Sequence, residues 1–155
     1  MSKPSIYVAS SWRNDYQPMV VAALREGEFD VYDFKNPRPG DFGFSWKDVM
    51  PSFDIDAQAC DAAEYLAGLT HPLAEAGFTS DFDAMQACDA CVLVLPCGRS
   101  AHLELGWFTG QGKPTAILLD GPVVVPELMY KLADYVADSL WDLCEWALNT
   151  VKVAA

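Results

Sequence analysis

Glu104 is the residue whose placement most needs a chemical reason. It lies in "PCGRSAHLELGW", Pro96 to Trp107, directly after the most apolar run of the chain and among Leu103, Leu105 and Trp107. A helix that follows a central strand carries its first turns to the strand ends, so this carboxylate is expected near those ends, close to a helix N-terminus. The residues ahead of it, Gly98, Arg99 and Ser100, open that helix. Their free backbone N–H groups suit an anion such as a phosphate or a carboxylate. The competing reading makes Glu104 a first-turn acid favoured by the helix dipole.

Three more residues carry candidate chemistry. Tyr7 lies in the first apolar run, where its hydroxyl could orient a carboxylate beyond the strand. Asp81, in "TSDFDAM", is a second carboxyl group, against a competing role as an N-cap or first-turn acid. Trp12 offers a flat surface to a base or sugar, against ordinary packing. His102 shares the helix start with Glu104 and reads as polar lining rather than a ligand.

Other signatures fail. Cys97 precedes a helix as a phosphatase nucleophile does, but Arg99 comes too soon to close a phosphate cradle. The glycines of "GWFTGQG" follow Glu104 and form no dinucleotide-binding turn. With only His71 and His102, neither a histidine triad nor a zinc site is supported, and no cofactor or metal is expected. Cys88 and Cys91 form a CxxC at a helix-to-strand step, the reverse of a redox motif, and read as buried thiols.

Elements that could position these groups alternate along the chain. "SIYVAS", "FDVYDF", "ACVLVLP" and "PTAILLD" read as strands, the last two apolar on both faces. Helical spacing marks "QPMVVAALREG", Ala57 to Leu69, Asp81 to Cys88, "SAHLELGWFTGQG", "VPELMYKLA" and "SLWDLCEWALNTV". "KNPRPGDFGFSWKDVMPSFDID" reads as a long aromatic-rich loop. The alternation predicts an α/β layered fold with a mostly parallel sheet, in which ligands bind at the carboxyl ends of the strands. The loops there are Ser10 to Asn14, with Ser10, Trp12 and Arg13 as substrate-binding candidates, Asp33 to Ser45, Pro96 to Ser100, and Asp120 to Pro126.

Length and charge narrow the classes. A chain of 155 residues with 52% hydrophobic residues is expected to form one domain over 1–155. Acidic residues outnumber basic ones 22 to 10, so a nucleic acid polymer or an anionic membrane is repelled, while a single nucleotide in a local pocket is not. No run approaches the length of a membrane span or a signal peptide, and the five cysteines fit reduced thiols, so the expected location is cytoplasmic.

Taken together, "IYVASSW", "TSDFDAMQACDACVLVLP" and "SAHLELGWFTGQGKP" resemble the nucleoside 2-deoxyribosyltransferase family, which includes nucleoside 5'-monophosphate N-glycosidases. The likeness spans most of residues 5–119. It implies a flavodoxin-like (Rossmann-like) three-layer sandwich with a mostly parallel five-stranded sheet. It also implies that Glu104 attacks the anomeric carbon of a nucleoside or nucleotide, that Tyr7 holds Glu104, and that Asp81 protonates the leaving base. Transferases of the family carry an acid six positions before the nucleophile for a sugar hydroxyl, where this chain has Gly98. Gly98, Arg99 and Ser100 suit a phosphate better, which favours hydrolysis of a nucleotide over base transfer. Family members complete the site with a neighbouring subunit, so Met129 in "PELMY" becomes a substrate-binding candidate and a homodimer or higher homo-oligomer is implied. An NAD glycohydrolase and a non-catalytic nucleotide-binding sensor stay open as alternatives.

Overall fold

The structure, a computed structural model, describes residues 3–154. Two compact units are distinguished: one takes in the chain through Asp33 and again from Met85 onward, and the other is Phe34–Ala84.

The first unit is built on strands β1 (Ser5–Ala9), β2 (Asp30–Asp33), β3 (Ala90–Val94), β4 (Thr115–Leu118) and β5 (Tyr135–Ala137). They lie in the order β2-β1-β3-β4-β5, every pairing parallel. That is the flavodoxin-like order. Strand β3 has no exposed surface at any of its five positions, which is why it reads as a continuous apolar run rather than an alternating one.

Successive side chains of a strand point to opposite faces, and the two faces have different covers. Ile6, Val8, Val92, Val94, Ala116 and Leu118 join one core with Val20, Val21 and Leu24 of α1 (Gln17–Glu26) and Leu143, Trp146, Ala147 and Val151 of α5 (Leu140–Ala154). These helical positions recur at three- and four-residue steps, the stripe an amphipathic helix buries. Each Val, Leu or Ile among them contributes about 1.5–3 kcal/mol by leaving water. The opposite face carries Tyr7, Cys91 and Leu93, and α4 (Arg99–Gly110) covers it with Ala101, Leu105 and Phe108. Phe108 meets the Tyr7 ring at 5.6 Å. The result is the three-layer α/β/α sandwich.

The Phe34–Ala84 unit holds a 3-10 turn, Trp46–Asp48, the short helix α2 (Ala62–Gly68), and most of α3 (Pro72–Ala87). Asp61 caps α2 by accepting from the N–H groups of Ala63 and Glu64. Phe44, Trp46 and Tyr65 form an edge-to-face chain, and Phe78 stacks on Phe82 at 5.4 Å. A β-carbon at Gly77 would sit 2.8 Å from that of Phe44, so this mid-helix glycine permits a close approach.

Three elements differ from the sequence expectation. Helix α3 begins at Pro72, not at Asp81, because proline suits a helix start and Gly77 does not break the run. The α2 helix is shorter than Ala57 to Leu69. "VPELMYKLA" yields only a 3-10 turn, Leu128–Leu132, followed by β5, whose three residues are too few to show alternation.

Candidate functional site

In a parallel sheet of this order the crevice opens where chain connections leave in opposite directions, between the carboxyl ends of β1 and β3. Here the two loops at that point are tied together. The Ser10 hydroxyl donates to the Val94 carbonyl at 2.8 Å, and the Asn14 amide donates to the carbonyls of Val94 and Pro96 at 3.3 and 3.1 Å. The same Asn14 accepts from the N–H groups of Tyr16 and Gln17, which begins α1. Asn14 is 3% exposed, so its side chain is committed to holding this junction.

Across the junction, α4 starts at Arg99 with Gly98 as its N-cap, in extended backbone and without a side-chain acceptor for the first N–H groups. Gly98, Arg99 and Ser100 are all exposed. A β-carbon built on Gly98 meets nothing within 4 Å, so space rather than backbone strain surrounds this turn. Glu104 lies in the second turn of α4, half-buried. The first-turn dipole reading of Glu104 therefore does not apply, because that effect fades beyond the first turn.

The carboxylate is within electrostatic reach of two thiols. Burial first, and then the Glu104 charge, push the Cys97 thiol up to about 12 and the Cys91 thiol well above its ordinary value. Burial and this neighbouring carboxylate thus both disfavour the thiolate at the two cysteines. Tyr7 is fully buried, in register with Cys91, its ring between Tyr32 at 5.2 Å and Phe108 at 5.6 Å.

His102 closes the other side of the turn. Its Nδ1 lies 2.8 Å from the Gly98 carbonyl and 3.6 Å from Cys97 Sγ, and its Nε2 lies 2.9 Å from the Tyr130 hydroxyl. The two rings stack at 5.8 Å. Tyr130 belongs to the β4–β5 connection, so a third strand end reaches the same turn.

The sheet ends thus gather Ser10, Gly98, Arg99, Ser100, His102 and Glu104, with Tyr7 beneath α4. Trp12 is 48% exposed, Arg13 is exposed, and Met129 is 59% exposed on the 3-10 turn that carries Tyr130. Asp81 belongs to the Phe34–Ala84 unit, half-buried in the middle of α3, so it is neither an N-cap nor a first-turn acid. Leu103 is 76% exposed and so gives Glu104 no dry surrounding, whereas Leu105 is buried and Trp107 half-buried. Two residues were not read from the sequence. Asn14 had a signal, as an Asx-turn residue in the loop just ahead of Pro18. Tyr130 had none, being 28 residues from its partner His102. Among the described residues no group of three or more His, Cys, Asp or Glu is arranged for a metal ion. No helix among them is long and apolar enough to cross a membrane.

No family model matches the chain, and no curated protein matches it. Among solved structures it is similar to a 2-deoxyribosyltransferase from the psychrotolerant bacterium Bacillus psychrosaccharolyticus, with TM-score 0.58 and 14% identity over 95% of each chain. It is also similar to a conserved protein from Enterococcus faecalis V583, with TM-score 0.55 and 16% identity over 93% of this chain and 96% of that one. The CMP N-glycosidase BcmB of Clostridium botulinum aligns at TM-score 0.48 and 13% identity, over 91% of this chain and 96% of that one. The family resemblance read from the sequence thus meets its counterpart among the structural neighbours, and the chain has the fold of a 2-deoxyribosyltransferase.

Proposed function

We propose that this chain is an N-glycosidic-bond enzyme that cleaves or exchanges the base of a nucleotide or nucleoside, with hydrolysis of a nucleoside 5'-monophosphate as its favoured reaction. The observation that carries the reading is Glu104, half-buried in α4 at the β1/β3 crevice, beside an open helix start that no side chain of Gly98 caps. Breaking a C–N glycosidic bond passes through an oxocarbenium-like state, which a carboxylate can stabilise or capture. In this reading Glu104 attacks the anomeric carbon as the bond to the base breaks, forming a glycosyl ester. Asp81, assigned by resemblance, gives its proton to the departing base nitrogen. Water then cleaves the ester, returning Glu104 as a carboxylate, or a second base displaces it. Tyr7, also assigned by resemblance, holds Glu104 in orientation in this reading.

The open turn at Gly98, Arg99 and Ser100 supports a 5'-phosphate, because exposed N–H groups at a helix start favour an anion. Ser10, Trp12, Arg13, His102 and Met129 are assigned to binding the rest of the substrate. A second copy of the chain is proposed as the partner. Val123, Val125, Leu128, Met129 and Leu132 leave 59% or more of their surfaces exposed within ten residues, an apolar stretch that a subunit contact would cover.

The test is incubation with a panel of nucleosides, their 5'-monophosphates and NAD, with and without an acceptor base, followed by chromatography for released base. Release from monophosphates without an acceptor is expected. Absence of released base from every substrate overturns the reading. Light scattering checks the second copy, where a monomer at micromolar concentration removes that part.

A further inference from the structure

We propose that Tyr130 is a positioning residue for the anion-holding turn, acting through His102, whose tautomer and orientation it fixes. The inference rests on the reading of that turn as the seat of a substrate phosphate.

A carbonyl oxygen only accepts hydrogen bonds, so the 2.8 Å contact from His102 Nδ1 to the Gly98 oxygen places a proton on Nδ1. In the neutral ring Nε2 is then the acceptor, and the Tyr130 hydroxyl, 2.9 Å away, donates to it. Cys97 Sγ, 3.6 Å from Nδ1, takes a weak share of the same proton. Were Nε2 protonated instead, Nδ1 would face the Gly98 carbonyl with a lone pair, acceptor against acceptor. The Tyr130 hydroxyl favours the productive form, since it supplies a donor where that form has its acceptor.

The consequence reaches the turn through one peptide plane. In a trans peptide the C=O and the N–H point in opposite directions. Holding the Gly98 carbonyl towards His102 therefore aims the Arg99 N–H away from it, as the first donor of α4. Gly98 has no side chain to set this orientation and no contact within 4 Å of where a β-carbon would be. As the carbonyl of the N-cap, the Gly98 oxygen also accepts the first backbone hydrogen bond of α4, and the His102 ring adds a side-chain hold on the same plane. Tyr130 comes from the β4–β5 connection, so the proposed phosphate seat is set by a segment 28 residues beyond His102.

The variant Tyr130→Phe keeps the ring that stacks at 5.8 Å and removes only the hydroxyl. Nitrogen-15 NMR of the imidazole reads the tautomer directly, with His71→Gln as the background that leaves His102 the single histidine. The Nδ1–H form is expected to dominate in the parent and to lose its dominance in Tyr130→Phe. Calorimetric titration with ribose 5-phosphate and with ribose gives the second readout. Tyr130→Phe is expected to weaken ribose 5-phosphate roughly tenfold, the size of one lost hydrogen bond, and to leave ribose unchanged. His102→Asn removes the Nε2 acceptor, so whatever affinity for ribose 5-phosphate it retains, adding Tyr130→Phe to it is expected to cause no further loss. A parent ring protonated on Nε2, or a Tyr130→Phe variant with tautomer and affinity unmoved, overturns the inference alone. If the parent binds ribose 5-phosphate no better than ribose, the phosphate reading fails, and this inference falls with it.

Discussion

Tyr7 and Cys91 sit side by side in register on β1 and β3, both without exposed surface, on the sheet face that α4 covers. The Tyr7 ring is wedged between Tyr32 and Phe108, so it fills core volume as well as presenting a hydroxyl. The two roles separate by substitution. Tyr7→Phe keeps the ring and is expected to retain the fold, with base release falling at least about tenfold if the hydroxyl orients Glu104. Tyr7→Ala also opens a cavity and is expected to cost about 3–5 kcal/mol. Thermal unfolding and a base-release assay on both variants decide this, and an active Tyr7→Phe removes the hydroxyl from the mechanism.

Glu104→Gln tests the nucleophile and carries a second, spectroscopic consequence. Activity is expected to fall by at least ~10²-fold, the scale for losing a nucleophile or proton-transfer group. The Cys97 thiol is held up to about 12 by burial first and the Glu104 charge second, so removing that charge is expected to lower its titration midpoint, with burial keeping it above the ordinary 9.0. Thiolate absorbance followed against pH measures the shift. The sign for stability follows from the same direction. A thiol raised by folding stabilises the chain fully below pH 9 and loses that contribution as pH rises towards about 12. Alkaline loss of stability in that window is expected to be shallower in Glu104→Gln, and an unmoved midpoint would place the carboxylate away from Cys97.

Lys113 joins the end of one helix to the face of another. Its ammonium donates to the carbonyls of Met85, Gln86 and Cys88 at 3.1, 2.8 and 2.6 Å and lies about as close to the rings of Trp107 and Phe108, at 5.5 and 5.4 Å. These carbonyls end α3 and have no partner within the helix. Lys113→Met keeps the stem and removes the donors, so a loss of roughly 1.5–3 kcal/mol is expected, as for hydrogen bonds to a charged group. A calorimetric Tm lower by several degrees checks it. A Tm unchanged within a degree shows that water serves those carbonyls equally well.

Legibility in the sequence followed the range of the forces. Strands β3 and β4 and helices α1 and α5 could be read because their burial imposes an apolar pattern on contiguous residues. The resemblance carried the sheet order. What could not be read depends on distant partners. Gly77 is accommodated within α3 because Phe44, far away in sequence, packs against it, and "TSDFDAM" reads locally as a cap although it is mid-helix. At the site, Glu104 stood out because a carboxylate beside apolar residues is locally anomalous. The hydrogen bond from Tyr130 to His102 left no trace, since nothing near either residue encodes the other.

Gly98 tests the proposed phosphate seat, because a substitution there is expected to spare the fold. Its φ of −90° and ψ of −167° are open to any residue, and a β-carbon there points into free space, so no steric reason requires glycine. An aspartate at this N-cap would accept from the first N–H groups of α4, which stabilises a helix by about 1 kcal/mol. Those same N–H groups are the ones assigned to the phosphate, and the new carboxylate would also repel it. Gly98→Asp is therefore expected to leave Tm unchanged or slightly raised while increasing KM for a nucleoside 5'-monophosphate at least about tenfold, as an anion site loses its donors and gains a like charge. The KM for the unphosphorylated nucleoside is expected to stay or fall, since an acid at this position is what base-exchanging members of the resembled family carry. Steady-state kinetics on the paired substrates decide the point. Equal losses on both substrates would mean that the turn shapes the sugar site and holds no phosphate.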